Sequence, residues 1–253
     1  MITTKTSHDV QQELPQVGAS DEEMSHLQHF SLTRPDWDVV LLTQRLRGDG
    51  ETGRADKYPR AHPYITGMQY VMRDLLRSYE DYWILDIGSP LVQNAALACV
   101  PEIHLTVLDV RGHDDADKMG LKWVEGTATA LPFADRTWST VTSLWVMGHV
   151  GDGRYGDELD IDGDRKMLRE IHRVLAHGGI AYLGVGLVAE QAGMIFNLHR
   201  IYSWPWLRAE FDKVGFDILE EVNFDVYEEV FIHQDVDIRR IDGKYGLAKL
   251  RKR

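Results

Sequence analysis

The chain has 253 residues, a formal net charge of −12 and 43% hydrophobic residues. This length suffices for one α/β domain with a continuous core, and the apolar content excludes a disordered chain. The negative charge argues against a nucleic-acid backbone or an anionic membrane as the main partner, because like charges repel.

The N-terminal sequence lacks the apolar core of a signal peptide. No segment approaches the roughly 20 apolar residues that a membrane-spanning helix needs. Cys99 is the single cysteine, so an internal disulfide is not possible. We therefore expect a cytoplasmic protein without a membrane span.

Residues 1–63 are expected to form an N-terminal arm and a cap or lid. The first thirty or so residues are polar and unpatterned, which is typical of a loosely held arm. The sequence DWDVVLLTQRLRG predicts a short amphipathic helix that ends at Gly48. Glycines and prolines in the following segment, up to Tyr64, predict a lid or a binding loop.

Residues 64–253 are expected to form a second domain, in which apolar strands alternate with helices. From Tyr64 to Leu76, apolar residues recur at helical spacing. The later helices are predicted over LVQNAALACV, over Asp164 to Ala176 and over SWPWLRAEFDKVG. The predicted strands are YWILDIG, HLTVLDV, LKWVEG, WSTVTSLWVMG, IAYLGVGL, FDILEEVNF and VYEEVFIHQ.

This alternation predicts an α/β fold with a mostly parallel, doubly wound sheet that is covered by helices on both faces. The last two strands have no helix between them, so we expect them to form a closing antiparallel hairpin. The basic run from Lys249 to Arg253 is expected to be a solvated tail.

Three strand ends carry residues suited to binding a ligand. LDIGSP contains Asp86 and Gly88, VLDVR contains Asp109, and VEGTATALPF follows the third strand. In an open α/β sheet, ligands bind outside the carboxyl ends of the strands. A carboxylate at Asp109 could accept hydrogen bonds from both hydroxyl groups of a ribose.

In this order, with REIHRVLAHGGIAYLGV downstream, these motifs resemble the class I S-adenosylmethionine-dependent methyltransferases across roughly residues 64–235. The resemblance implies a Rossmann-like sheet of seven strands with a C-terminal antiparallel hairpin, and S-adenosyl-L-methionine as cofactor. The residues that it implies for cofactor binding are Asp86, Gly88, Ser89, Asp109, Val110, Thr127, Ala128 and Leu144.

The chain departs from this family in the first turn. Pro90 and Val92 stand where the family usually has glycines, and Thr127 stands where it usually has an acid. Pro90 has no backbone N–H to offer, and Val92 limits close approach. Either the methionine end of the cofactor is held differently, or cofactor binding has been lost; the intact remainder of the pattern favours retained binding.

The segment GRYGDELDIDGDR starts near the end of the fourth strand, and IFNLHRIY follows the fifth. Together they resemble a narrower branch of the family, known largely as a domain of unknown function in bacteria and nematodes. Bacterial members look like modifiers of saccharides and glycan precursors, which implies a small-molecule saccharide as substrate. The implied substrate-binding residues are Arg154, Tyr155, Asp157, Asn197, Arg200 and Tyr202.

Two histidines are candidates for the catalytic base. Methyl transfer to an alcohol requires the removal of a proton, and the pKa of imidazole lies near neutrality. We expect His149 to be the base, because it directly follows the strand nearest the transferred methyl group. His199 would bind the substrate or act as a second base. The alternative is that either ring only satisfies a loop carbonyl.

Three alternate aspartates precede the predicted helix: Asp160, Asp162 and Asp164. One interpretation is that Asp164 caps the helix while the other two sit in solvent. A second is sugar binding, and a third is a Mg²⁺ site that lowers the pKa of a bound hydroxyl. An EF-hand is excluded, because the twelfth position counted from Asp160 is Ile171 instead of glutamate.

The leading hypothesis is an O-methyltransferase that acts on a hydroxyl of a sugar, oligosaccharide or glycan precursor. The alternative is a non-catalytic binding module with the same fold. A nicotinamide-dependent oxidoreductase is disfavoured, because the phosphate-binding glycine pattern is missing and Pro90 lacks an N–H donor. A homodimer is kept open beside a monomer.

Overall fold

The computed structural model describes residues 3–5, 22, 25–26, 29, 33–34, 38–41, 63–77, 82–113, 116, 120–195, 199–224, 232–233, 236–237 and 244–253. The helices are α1 (Pro63–Leu75), α2 (Leu91–Ala98), α3 (Gly163–Val174) and α4 (Trp204–Val214). The strands are β1 (Thr3–Lys5), β2 (Asp38–Leu41), β3 (Tyr82–Ile87), β4 (Ile103–Asp109), β5 (Lys122–Glu125), β6 (Trp138–Leu144), β7 (Leu175–Val188), β8 (Gly193–Ile195), β9 (His199–Ile201), β10 (Phe216–Phe224), β11 (Ile232–His233), β12 (Val236–Asp237) and β13 (Lys244–Lys252).

The main sheet has seven strands in the order β10-β13-β7-β6-β3-β4-β5. Strands β7, β6, β3, β4 and β5 are parallel to their neighbours. Strand β13 runs antiparallel between β7 and β10. The prediction of a doubly wound, mostly parallel sheet of seven strands with antiparallel C-terminal strands is therefore confirmed.

Helices cover both faces of this sheet, which explains why its strands are continuous apolar runs. On one face, Val71 of α1 and Leu97 of α2 belong to a single buried cluster. On the other, Met167 and Leu168 of α3 pack in one cluster with Phe211 of α4. No helix in the described ranges has the length and apolar character to cross a membrane.

The closing strand pair differs from the prediction. FDILEEVNF, which is β10, pairs with β13 instead of VYEEVFIHQ. Within VYEEVFIHQ the structure describes only β11, which pairs with β12. The predicted solvated tail is thus the end of β13, an inner strand that pairs with β10 on one side and with β7 on the other, and its Leu250 side chain is buried. Lys252 is itself buried and donates Nζ hydrogen bonds to the carbonyls of His172 (2.6 Å) and Leu175 (2.8 Å).

The helix predicted before Gly48 is also wrong over its described part. Residues Asp38–Leu41 form β2, which lies between β1 and β8 in a second sheet of order β1-β2-β8-β9. Consecutive valines at positions 39 and 40 favour an extended backbone, and the pairing strand β8 lies about 150 residues away in sequence, outside any local pattern. The remainder of that predicted helix, and the predicted lid before Pro63, lie outside the described residues.

The helix predicted from Asp164 to Ala176 is α3, which ends two residues earlier at Val174. Leu175 already has an extended backbone and begins β7. The glycine pair Gly178–Gly179, which follows the predicted helix in the sequence, lies within β7, where Gly178 has a φ of +73°. The apolar residues Val174 and Leu175 lead directly from the helix into the buried strand.

Candidate active site

The carboxyl ends of four parallel strands meet at one edge of the main sheet. Asp86 of β3 lies opposite Val107 of β4 and Thr142 of β6, and Asp109 lies opposite Glu125 of β5. The structure therefore brings the sequence-predicted cofactor residues to a single edge.

Asp86 anchors the turn that leads from β3 to α2. Its buried carboxylate accepts hydrogen bonds from Ser89 N (3.1 Å), Ser89 Oγ (2.7 Å) and Thr142 Oγ1 (2.6 Å). Burial raises the pKa of Asp86 to about 6, although these donors oppose the shift. Ser89 Oγ in turn accepts a hydrogen bond from Leu144 N at 2.9 Å. The acid and the serine thus join the end of β3 to the end of β6.

Gly88 allows a close approach at this turn. Its φ is +65°, and a Cβ atom would lie 3.0 Å from Cγ1 of Val146. The turn offers few free donors, because Gly88 N bonds to the Leu108 carbonyl at 2.8 Å and Ser89 N bonds to Asp86. The next residue, Pro90, has no N–H. The turn is therefore tight at Gly88, and the backbone N–H groups of Gly88 and Ser89 are already engaged.

Asp109 is held by Arg111. The guanidinium contacts both carboxylate oxygens, with Nε 3.1 Å from Oδ1 and Nη2 3.2 Å from Oδ2. Burial alone would lower the pKa of Arg111, but its hydrogen bonds and charge attraction to Asp109 raise it. The same guanidinium lies 4.8 Å from the ring centre of Tyr155. The acid predicted for the ribose is therefore linked to the predicted substrate loop.

The other predicted cofactor residues lie at the same edge. Val110 is half-buried, and Thr127 is exposed with its hydroxyl 2.9 Å from that of Thr129. Ala128 is buried in the core. The Leu144 side chain also packs into the core, so only its backbone lies at the rim.

Both candidate histidines lie together beside this edge. After β6 the chain turns sharply at Trp145, whose φ is +70°, and enters the 3-10 turn Met147–His149. His199 begins β9. The two ring centres are 5.8 Å apart, and the His149 ring meets the Tyr155 ring edge-on at 5.4 Å. The structure thus places the two candidate histidines next to each other, and their catalytic role stays a prediction.

The partly exposed acids of the loop are paired with basic residues or with backbone N–H groups. Asp157 accepts hydrogen bonds from Gly151 N and Tyr155 N at 2.6 and 3.3 Å. Asp160 pairs with Lys166 at 2.6 Å, and Asp162 pairs with Arg165 at 2.9 Å. These contacts fold the loop on itself.

Asp164 is neither a helix cap nor a solvated acid. It lies in the first turn of α3, after the N-cap residue Asp162, and its side chain is fully buried. Arg34 grips both of its oxygens at 2.9 and 2.6 Å, and the Tyr202 hydroxyl donates to Oδ2 at 3.1 Å. Burial would raise the pKa of Asp164, but Arg34 and Arg200 hold it below the usual value.

Asp152 is an acid that the sequence analysis missed. It is buried, with Oδ1 3.1 Å from Nη2 of Arg200. The pair is close but poorly aligned, so neither oxygen of Asp152 accepts a hydrogen bond from the described residues. Burial raises the pKa of Asp152 to about 7, although Arg200 opposes the shift. In the sequence, the feature that could have drawn attention to Asp152 is its place between two glycines, Gly151 and Gly153.

The substrate-binding predictions divide into two groups. Arg154 and Tyr155 are half-buried on the loop, with the guanidinium 5.6 Å from the ring centre. Arg200 and Tyr202 are fully buried, so as placed here neither side chain can contact a substrate. Asn197 lies outside the described residues.

The aspartates do not fit a divalent cation. Among the described residues, no group of three or more His, Cys, Asp or Glu side chains is arranged to hold a metal ion. Asp160, Asp162 and Asp164 instead pair with Lys166, Arg165 and Arg34, respectively. The third interpretation of the acidic run, a Mg²⁺ site, is therefore not supported.

Residues 122–242 match a family model described as "Caenorhabditis protein of unknown function, DUF268". This range contains both histidines and the acidic loop. No curated protein has a matching sequence.

Several solved structures have a similar fold. The 1,6-didemethyltoxoflavin-N1-methyltransferase of Burkholderia thailandensis, solved with S-adenosylhomocysteine, is 14% identical with a TM-score of 0.58, over 95% of this chain and 92% of that one. The [4+2]-cyclase SpnF is 16% identical with a TM-score of 0.56, over 91% and 94%. The N-methyltransferase NodS of Bradyrhizobium japonicum is 14% identical with a TM-score of 0.53, over 75% and 88%. The chain therefore has the Rossmann-like methyltransferase fold. The cyclase SpnF has a similar fold.

Proposed function

We propose that this protein is an S-adenosylmethionine-dependent methyltransferase that methylates a hydroxyl group of a sugar, oligosaccharide or glycan precursor. The observation that carries the proposal is the pair of imidazoles, 5.8 Å apart, beside the strand ends that hold Asp86 and Asp109. The fold supports the proposal without deciding it, because one fold can host many chemistries.

The strand edge suits a nucleoside cofactor in two respects. A side chain at Gly88 would fill the space against Val146, so this glycine keeps the turn open for a close approach. Asp109 presents a carboxylate that could bind a ribose diol if Arg111 moved aside. The cofactor would supply a methyl group on a positively charged sulfur, which is already activated for displacement.

The residues of the chain would supply alignment and a proton acceptor. When bound, the cofactor would supply this methyl group in a direct displacement, with its sulfur as the leaving group that keeps the bonding electron pair. As the O–C bond forms, the imidazole of His149 takes the hydroxyl proton and later releases it to water. A positioned base typically contributes 10²- to 10⁴-fold in rate.

A saccharide fits the remaining groups better than a flat apolar acceptor. Tyr155 offers an aromatic ring at the site, and Arg154 and His199 offer hydrogen-bond donors close to it. Each hydroxyl group of a saccharide can both donate and accept hydrogen bonds, as arginine and histidine side chains require of a partner.

A second function is a non-catalytic binding module. Two observations favour the binding module, because each would weaken the binding of the cofactor. The backbone N–H of Gly88 is already bonded to Leu108, and the Asp109 carboxylate is already paired with Arg111. Calorimetry with S-adenosylmethionine and S-adenosylhomocysteine discriminates between the two. Measurable binding that weakens at least tenfold in Asp109→Ala supports the enzyme, and no binding at millimolar ligand supports the module.

Transfer is tested with cofactor that carries a labelled methyl group and a panel of saccharide acceptors. We expect His149→Ala to lower kcat by 10²- to 10⁴-fold while cofactor affinity is unchanged. His104→Ala is the matched control, because His104 is exposed at the far end of β4, where its ring stacks on Trp83. A His149→Ala variant with normal turnover would remove the assigned base.

A further inference from the structure

We propose that Asp152 and Arg200 are positioning residues, whose buried ion pair holds the segments of His149 and His199 together at the distance that catalysis needs. The inference rests on the proposed function for its kinetic consequence, but its geometric content can be measured without any activity. Neither residue was identified in this role from the sequence: Asp152 was missed and Arg200 was expected to bind substrate.

The two residues are next to the histidines along the chain. Arg200 directly follows His199, and Asp152 N donates a hydrogen bond to the His149 carbonyl at 3.2 Å. Arg200 Nη1 donates to the carbonyl of Val150 at 2.5 Å, and Nη2 lies 3.1 Å from Asp152 Oδ1. One side chain from the His199 segment therefore makes a hydrogen bond to Val150 and an ion pair with Asp152, both of which follow His149.

Close backbone packing supports these contacts. A Cβ on Gly148 would lie 3.2 Å from the Arg200 carbonyl oxygen and 3.5 Å from Cβ of His199. A Cβ on Gly151 would lie only 2.1 Å from the Asp160 carbonyl oxygen. The two histidine segments thus touch through glycine backbone, and a small shift of either segment would change the distance between the rings.

Asp152 and Arg200 belong to a buried ion cluster, which we define as Arg34, Asp152, Asp164 and Arg200. Arg34 pairs with Asp164 at 2.6 Å, and Oδ2 of Asp164 lies 3.9 Å from Nε of Arg200. The cluster contains two positive and two negative groups from four separate parts of the chain. Buried ion pairs contribute little net stability, and their better-attested role is to specify one arrangement. Fixing the loop against the strand edge is such a role.

Direct contact with a substrate does not explain the pair. The exposed fractions of Asp152 and Arg200 are 1% and 0%. Any effect of these residues on transfer must therefore act through the groups that they hold, which are the two histidine segments.

The test uses the full chain with Asp152→Asn, Arg200→Lys and Arg200→Met at a pH above the pKa of Asp152, which is about 7, so that the wild-type pair is charged. We expect kcat for methyl transfer to fall about 10- to 100-fold in Asp152→Asn and Arg200→Met, because small displacements of catalytic groups have effects of that size. The affinity for S-adenosylhomocysteine should stay within about threefold, which also shows that each variant is folded. Arg200→Lys should keep more activity than Arg200→Met, because the positive charge remains.

The matched controls are Asp217→Asn and Arg251→Lys, which make the same changes in an exposed ion pair of β10 and β13 with a distance of 3.0 Å. Both should leave kcat unchanged. Normal turnover in Asp152→Asn and Arg200→Met, with activity present in the wild type, would overturn the inference.

A second measurement, which does not depend on activity, is NMR of the histidine rings. In Asp152→Asn, the imidazole signals of both His149 and His199 should move, while those of His104 should not. If the signals of His149 and His199 stay in place, the inference is overturned whether or not the protein is a methyltransferase. If the wild type binds no cofactor but the two signals move, the proposed function fails and the positioning role stands.

Discussion

The two halves of the candidate site hold their carboxylates in different ways. At the cofactor edge, Asp86 is bound by neutral hydroxyl and amide donors, and Asp109 by the partly exposed Arg111. On the loop side, Asp152 and Asp164 lie inside the protein against buried Arg34 and Arg200.

The difference shows that one residue type serves two purposes. Asp86 and Asp109 are buried as well, but their partners are neutral groups and a partly exposed arginine, so no buried positive charge holds them. Asp152 and Asp164 instead pair with buried arginines, which suits side chains that fix the conformation of the loop. Within the alternating run, Asp160 and Asp162 are partly exposed, whereas Asp164 is fully buried.

The largest expected effect separates two acids that are two positions apart. Asp164→Asn should lower the free energy of unfolding by about 3–5 kcal/mol, because it leaves Arg34 buried without its full partner. Asp162→Asn should change it by about 0.2–1 kcal/mol, since that side chain is 38% exposed. Chemical denaturation of both variants measures the contrast, and equal effects would show that the interior of the loop is misassigned.

A pH series sharpens the comparison through Asp152. Its pKa is about 7 in the folded protein against 3.8 as the ordinary value, because burial disfavours the charged form. A raised pKa contributes stability that is present below about pH 4 and is lost as pH rises through about 7.

Asparagine does not titrate, so Asp152→Asn does not lose this stability as pH rises. The free energy of unfolding of the variant, relative to that of the wild type, should therefore increase from about pH 4 to 7 and then level off. The charged groups facing this position, Arg200, Arg34, Asp157 and Asp164, are the same in both proteins. Paired denaturation curves at several pH values give the difference. A difference that is constant across this range would mean that the carboxyl titrates normally.

A glycine on each side of the site provides the next contrast. Gly88 and Gly156 have φ values of +65° and +87°, so alanine at either position should destabilise the fold by about 1–2 kcal/mol. Only Gly88→Ala should also weaken the binding of S-adenosylhomocysteine, because its Cβ would meet Val146, whereas a Cβ on Gly156 meets nothing within 4 Å. Calorimetry checks this, and equal affinity in the two variants would contradict the placement of the cofactor.

The smallest expected effect concerns Arg111, which pairs with Asp109 at the strand end and also contacts Tyr155 of the loop. Arg111→Met should tighten S-adenosylhomocysteine binding by roughly two- to fivefold, because it frees the carboxylate of Asp109 at the modest cost of a partly exposed ion pair. Arg251→Met is the control at an exposed pair on the far strands. Weaker binding in Arg111→Met would show instead that this arginine contacts the cofactor.

The local sequence was enough to predict the main architecture and to place Asp86 and Asp109 at the carboxyl ends of neighbouring strands. Apolar runs such as residues 84–87 are buried on both faces, and this alone indicates a covered parallel strand. The positions of Asp86 and Asp109 at strand ends followed from the same pattern. His149 does not follow its strand directly as predicted, because β6 ends at Leu144 and His149 closes the 3-10 turn Met147–His149. These features depend on neighbours within a few residues, which a sequence displays directly.

Only the tertiary structure decided which partners distant residues would find. Arg34 and Asp164 are 130 positions apart, and nothing near either of them indicates a buried ion pair. The same holds for the basic C-terminal segment, which becomes a central strand because β7 and β10 lie on either side of it. A sequence determines periodicity and turn chemistry locally, whereas sheet pairing and the burial of charge depend on which surfaces meet when the chain closes.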